Sequence, residues 1–219
     1  MVAALPLAYD GSGIDGGLYT TVTGWAAHAP HWFDQAVTTW SDLGLGLFAV
    51  FMLWAWWQAR RADAVVMARV LAAPLVVVAA YVANSVFKSL VAEVRPCRQI
   101  AGSVPLESCP AADDWSFPSN HTVIAFAAAT ALWFASRRLG ALALLCAALM
   151  GASRVWVGVH YPHDVLIGAL VGVLVALPLT VAAGRAAPLV ERLRAGAPAT
   201  FLGAGPVGAA AGARESALR

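Results

Sequence analysis

The sequence predicts an all-α fold, a polytopic transmembrane helix bundle, and three observations carry that reading. Of its 219 residues, 60% are hydrophobic and only 12% are charged. Its mean hydropathy is +0.72. The apolar residues gather into five stretches, each about a bilayer's worth once its flanks are counted. A soluble globular domain does not combine these properties. A formal net charge of +2 without a basic run gives no reason to expect a nucleic-acid partner.

Taken in order, residues 15–29 carry Tyr19, Trp25 and several threonines and stop at Pro30. They read as an interfacial helix, or as a sixth and weaker span. No basic and apolar leader with a cleavage site precedes them, so the chain is expected to insert through its own spans. Spans one to five are residues 43–57, 65–86, 123–135, 139–154 and 165–183. Residues 1–183 then form a single membrane-embedded domain. From residue 184 the composition turns to Ala, Gly, Pro and Arg, which predicts a loosely ordered cytoplasmic tail over 184–219.

Charge sets the orientation. Arg60, Arg61 and Arg69 fall between spans one and two, Arg137 and Arg138 after span three, and five arginines after span five. The positive-inside rule places all three groups in the cytoplasm, and alternation of five spans agrees. Lys88, Arg95, Arg98 and Arg154 break that rule on the outer side, and Lys88 is the only lysine in the chain. Basic residues at outer span ends are costly, so they point to function. Cys97 and Cys109 lie in the outer loop after span two, where an oxidising compartment favours a disulfide over two free thiols. Cys146 reads as a small buried residue.

Three clusters share that side. In "KSLVAEVRP", Lys88 and Arg95 are two helical turns apart on one face, and Pro96 ends the helix. Taken alone, this is a snorkelling pair at an interface. In "FPSNH", Pro118 and Ser119 open span three and leave the first N–H groups free to attract an anion. Alone, Ser119 is an ordinary N-cap. In "SRVWVGVHYPHD", Ser153 and Arg154 end span four, and Pro162 starts span five with Asp164 in its first turn. From there Asp164 folds back on His160 and fixes its tautomer, where the simpler reading is a structural His–Asp pair.

A compact bundle brings these outer ends together. Three fixed cations and helix N-terminal donors make an anion clamp suited to phosphoryl transfer, with two histidines as nucleophile and acid. His121, His160, His163 and Asp164 are the competing set, as ligands for zinc. Three cations around the same pocket repel a divalent ion, so no metal and no cofactor are expected.

The pattern K-x6-RP, PS-x-H, SR-x5-H-x3-D resembles the signature of the type 2 phosphatidic acid phosphatase superfamily, which includes the vanadium haloperoxidases. Ten specified residues in order, over spans two to five, carry the resemblance. It implies that His160 attacks phosphorus, that Asp164 orients His160, and that His121 protonates the leaving oxygen and then activates water. It implies that Lys88, Arg95, Arg154, the Ser119 hydroxyl and the Asn120 N–H hold the phosphoryl oxygens. Ser153 matches the motif without a clear role.

Asn120 departs from the glycine commonest there. Members similar to undecaprenyl diphosphate phosphatases often carry a polar residue instead, and the resemblance tilts towards that subgroup. It implies a polyprenyl diphosphate substrate, an outward-facing site in the plasma membrane, carrier-lipid recycling and tolerance to antibiotics that bind the diphosphate. The alternatives are a phosphatase for phosphatidylglycerol phosphate or phosphatidic acid, and a non-catalytic lipid-phosphate binding or transport protein. The first partner is the lipid bilayer, and no oligomeric state follows. Ser153, Trp156 and Tyr161, on either side of His160 in the sequence, are expected near substrate. His163 tunes the pocket or caps the last helix, His28 and His31 are solvated, and Asp113 and Asp114 form a solvated turn able to approach an empty cationic pocket.

Overall fold

The computed structural model describes residues 8–196 and 198–206. Among these residues ten helices run in order: α1 (Ser12–Ala26), α2 (His31–Leu43), α3 (Leu45–Ala59), α4 (Ala64–Val91), α5 (Pro96–Gln99), α6 (Asn120–Trp133), α7 (Arg137–Trp156), α8 (Pro162–Ala183), α9 (Ala187–Arg194) and α10 (Ala199–Leu202). A 3-10 turn (Gly184–Ala186) joins α8 to α9. Among the described residues the β-structure is one parallel bridge between Tyr9 and Glu93. It follows Ala92, which closes α4 in left-handed geometry at φ 53°.

Among the described residues, three helical segments are long and apolar enough to cross a membrane: α4, α7, and α8 continued to Arg194. The pair α2 and α3, bent by 55°, makes four if counted as one span. The expected third of five spans, α6, runs from the site end to the Arg137 end but is short. Its 14 residues reach only about 21 Å at 1.5 Å per residue, against a hydrocarbon core of roughly 30 Å. Pro118 and Ser119 start it late, and it has no need to meet lipid. Ala125, Ala127, Ala128, Ala129, Ala131 and Leu132 are all buried, as befits a helix apolar all round and enclosed by its neighbours. α3, α4, α7 and α8 pack around it, with Phe48 of α3, Met67 and Val70 of α4, and Met150 of α7 in the shared core.

α8 packs on α6 through a stripe of small residues. Gly168, Gly172, Ala176 and Thr180, four apart and all buried, lie on one face of α8. A Cβ at position 168 would stand 2.9 Å from the Ser119 carbonyl oxygen, and one at 172 would stand 2.7 Å from that of Val123. Only glycine allows this approach, so the two backbones touch.

Two further differences from the sequence reading have physical causes. α1 forms as expected, but Pro30 does not end helical structure; it is the N-cap of α2, an element the mixed polarity of residues 31–42 concealed. Residues 184–194 and Ala199–Leu202 are helical, because Ala187, Val190 and Leu202 are buried in the core. Arg194 donates to the carbonyls of Ala59, Ala62 and Leu202, and Arg60 to that of Thr200, which ties this stretch to the α3–α4 turn. Residues 207–219 of the expected tail lie outside the described residues.

Candidate active site

The C-terminal ends of α4 and α7 and the N-terminal ends of α6 and α8 carry the motif residues. Lys88 occupies the last turn of α4, and Arg95 caps α5. Ser119 is the N-cap of α6, Arg154 stands in the last turn of α7, and His160 lies in the short connection to α8. Asp164 sits in the first turn of α8, where a capping box returns its carboxylate to the chain before it. Pro162 at the first helical position supports that start.

His160 and Asp164 form the buried centre, 2% and 0% exposed. His160 Nδ1 lies 3.1 Å from Asp164 Oδ2. The same oxygen accepts the Tyr161 N–H at 2.8 Å and the Ser116 hydroxyl. On the other side of the ring, Arg95 Nη1 lies 3.1 Å from His160 Nε2 and donates to the Val159 carbonyl at 2.9 Å. Since guanidinium only donates, Nε2 is the acceptor and Nδ1 carries the hydrogen. The lone pair of Nε2 thus points at the cationic side of the pocket. Burial, then the charges of Arg95, Arg154 and Lys88, hold His160 well below the ordinary imidazole value.

The three clamp cations are each met by a carboxylate from the segment between α5 and α6. Asp114 takes Lys88 Nζ at 2.8 Å and Arg95 Nη2 at 3.0 Å. Its backbone carbonyl accepts Arg95 Nε at 2.8 Å. Burial pushes the Asp114 carboxyl up, but the Lys88 hydrogen bond and the two neighbouring charges outweigh that and leave it below the usual value. Glu107 accepts Arg154 Nη1 at 3.1 Å, and Arg154 also donates to the Ser41 hydroxyl. The expected Cys97–Cys109 disulfide is formed, with Cα atoms 6.0 Å apart, and it braces this segment.

Asn120 differs from the expectation attached to it. It is the first residue of α6, in right-handed geometry, so glycine is not needed there. Its side-chain oxygen accepts from Asn84 of α4 at 2.7 Å, which keeps the amide engaged with α4. Ser119 donates its N–H to the Asp164 carbonyl at 3.1 Å, and its hydroxyl oxygen accepts from Thr122 at 3.1 Å. The Ser119 hydroxyl proton remains free to donate. His121, half-buried, follows in the first turn of α6.

Three residues expected near substrate turn elsewhere. The Ser153 hydroxyl donates to the Met150 carbonyl, the Trp156 indole donates to Asp34 at 2.9 Å, and the Tyr161 ring packs on Tyr19 and His163. Ser153 and Trp156, three residues apart, share one face of α7, turned about 100° or more away from Arg154. That face borders an apolar groove of about 320 Å³ with Phe33 and Trp40. The four zinc-ligand candidates do not assemble either. Among the described residues, the group whose ligand atoms come within 4.8 Å of one another is Glu93, His163 and Asp164. There both ring nitrogens of His163 are already matched to carboxylates, Asp15 at 2.7 Å and Glu93 at 3.0 Å.

Sequence reasoning missed Ser116, Ser41, Asn84, Glu93 and Glu107. Ser116 lies three residues before Ser119 and offers no motif of its own. Glu93, inside the Lys88-to-Arg95 interval, was visible as a lone acid between two functional bases.

The family model of the PAP2 superfamily matches residues 69–187, more than half of the chain and all of these site residues except those contributed from before α4. The chain belongs to the PAP2 superfamily. Over 64 residues this PAP2 protein is 48% identical to the bacitracin transport permease protein BcrC of Bacillus licheniformis, covering 29% of this chain and 32% of that one. Over 66 residues it is 44% identical to the undecaprenyl-diphosphatase BcrC of Bacillus subtilis, covering 30% and 34%. The matched stretch thus spans about a third of the length of these curated relatives. Among solved structures, the PAP2-type phosphatidylglycerolphosphate phosphatase of Bacillus subtilis aligns with a TM-score of 0.55 at 23% identity, covering 75% of this chain and 83% of that one. At that identity the likeness establishes a common fold.

Proposed function

We propose that this PAP2 protein is a membrane lipid phosphatase that hydrolyses undecaprenyl diphosphate, or a related polyprenyl diphosphate, to the monophosphate. The observation that carries the reading is the meeting of Lys88, Arg95 and an Asp164-backed His160, with the Nε2 lone pair on the cationic side. Binding alone has no use for a nucleophile with an orienting acid. The match to an undecaprenyl-diphosphatase over part of the chain supports the substrate.

The terminal phosphoryl group displaces Asp114 and is held by Lys88, Arg95 and Arg154, with the Ser119 hydroxyl and the Asn120 N–H completing the clamp. His160 Nε2 attacks phosphorus, forming an N–P bond as the bridging P–O bond breaks. His121 gives a proton to the departing lipid monophosphate. Asp164 stabilises the positive charge that develops on the His160 ring. His121 then takes a proton from water, the water oxygen bonds to phosphorus, the N–P bond breaks, and inorganic phosphate leaves. The clamp contributes by stabilising charge on the equatorial oxygens in transit.

Placement of the site at the helix ends opposite Arg60, Arg137 and Arg194 supports an outer-face site in the plasma membrane by the positive-inside rule. The polyprenyl tail stays in lipid while the diphosphate sits at headgroup depth, and the reaction returns the cell-wall carrier lipid to use. The test is phosphate release by the detergent-purified protein from undecaprenyl diphosphate, beside phosphatidylglycerol phosphate, with EDTA and a His160→Ala control. EDTA-resistant release favouring the polyprenyl lipid, lost in the variant, is expected. Preference for the glycerophospholipid overturns the substrate, and turnover that survives in His160→Ala overturns the mechanism.

A further inference from the structure

We propose that His163 is a positioning residue, clamped between Asp15 and Glu93, that acts on His160 through Asp164. This rests on the phosphatase reading above and extends it to residues outside the motif.

Asp164 is fully buried, and its two oxygens are treated very differently. Oδ2 collects three donors, from His160, Tyr161 and Ser116. Oδ1 has no hydrogen-bond partner, yet it faces His163 Nε2 at 3.6 Å. A buried carboxylate with one bare oxygen is costly unless positive charge stands beside it. The geometry around His163 supplies that charge.

His163 Nδ1 lies 2.7 Å from Asp15 Oδ1, and Nε2 lies 3.0 Å and 3.3 Å from the two Glu93 oxygens. Ionised carboxylates only accept, so both ring nitrogens donate, which is the charged form of the ring. Asp15 also accepts the His163 backbone N–H at 2.7 Å, so one carboxylate fixes both the ring and the start of α8. Tyr161 stacks on the ring at 5.3 Å and 15°, and Phe117 lies 5.7 Å away. The ring therefore has little freedom to turn.

The result is a line of alternating charge, Asp15 to His163 to Asp164, that ends on the neutral ring of His160, with Glu93 held at the side. His163 keeps Asp164 ionised and fixed in orientation, and Asp164 in turn holds the His160 tautomer. α1, which precedes every motif of the superfamily signature, is thereby joined to the nucleophile through Asp15.

The experiment is steady-state hydrolysis of undecaprenyl diphosphate by the full-length protein in detergent, comparing wild type, His163→Gln and Asp15→Asn. Inhibition by orthovanadate, a mimic of five-coordinate phosphorus, is measured beside inhibition by inorganic phosphate. For His163→Gln, kcat should fall roughly 10- to 100-fold with KM held within about twofold, as for outer partners of other reactive groups. Vanadate inhibition should weaken in step with kcat while phosphate inhibition does not. Asp15→Asn should show the same pattern to a smaller degree, and it decides the matter if the first variant does not fold. A wild-type kcat in the folded variants, or a loss confined to KM, overturns the proposal. A wild-type protein without turnover overturns the phosphatase reading and this inference with it, whereas turnover with indifferent variants overturns the inference alone.

Discussion

In the proposed reading Asp114 holds the place of a substrate phosphate, and Asp114→Asn measures what that occupation costs. Lys88 and Arg95 are nearly buried, but the Asp114 side chain is 47% exposed. Each of its two ion pairs is therefore scaled to the exposed range of about 0.2–1 kcal/mol. Together they oppose anion binding by about 0.4–2 kcal/mol, and at 1.4 kcal/mol per tenfold that is roughly a 2- to 30-fold weakening. The amide keeps the shape and removes the charge, so inorganic phosphate should inhibit the variant at concentrations lower by that factor. The assay is competitive inhibition of lipid hydrolysis by phosphate, read as Ki, with Glu107→Gln as a parallel test at Arg154. An unchanged or raised phosphate Ki in Asp114→Asn refutes the reasoning, because it means that Asp114 and phosphate do not share a site.

Two more outcomes follow from the same geometry. Ser116→Ala removes one of three donors to a buried carboxylate, worth about 1.5–3 kcal/mol for a charged acceptor. kcat should fall by roughly 10- to 100-fold if that loss falls on the transition state, and a kcat within twofold of wild type contradicts the role. The pH profile follows from His160, whose imidazole value is lowered by burial and by Arg95, Arg154 and Lys88. The neutral, attacking form persists above that lowered value, so kcat/KM should hold through pH 6.5 and fall only at more acid pH. Stability moves in the same sense: below about pH 6.5 the unfolded chain takes up a proton that the folded protein refuses. An acid limb at or above pH 6.5 contradicts this assignment.

Much of the site was legible because motif spacing survives translation into helix ends. Lys88 and Arg95 were expected on one helical face, but α4 ends at Val91 and they meet through Asp114 instead; Pro162 placed Asp164 where it could return to His160. What periodicity does not encode is which loop residue answers a buried charge. Asp114 and Glu107 meet their cations across irregular chain; Asp114 read from sequence as a solvated turn able to approach an empty cationic pocket, which is where it lies, while Glu107 gave no such sign. Ser41 and Asp15 come from helices before α4 and meet Arg154 and His163 only after long-range packing. In the fold, hydropathy located every long apolar helix but not their burial. α6 is apolar for the sake of its neighbours, and a window average gives a protein-enclosed helix and a lipid-facing one the same score. The opposite error concealed α2, whose polar face masked a helix continuous with the bent pair.

The glycine stripe on α8 has a mechanical consequence. With the α6 and α8 backbones in contact at Gly168 and Gly172, no compressible layer of side chains lies between the helix that carries His121 and the one that follows His160. A bilayer that thickens, thins or stretches can tilt this pair, but it tilts both as one body. The gap between these two helix ends is therefore insulated from the membrane's own fluctuations, and on the proposed mechanism turnover should vary little with the acyl-chain length of the surrounding lipid.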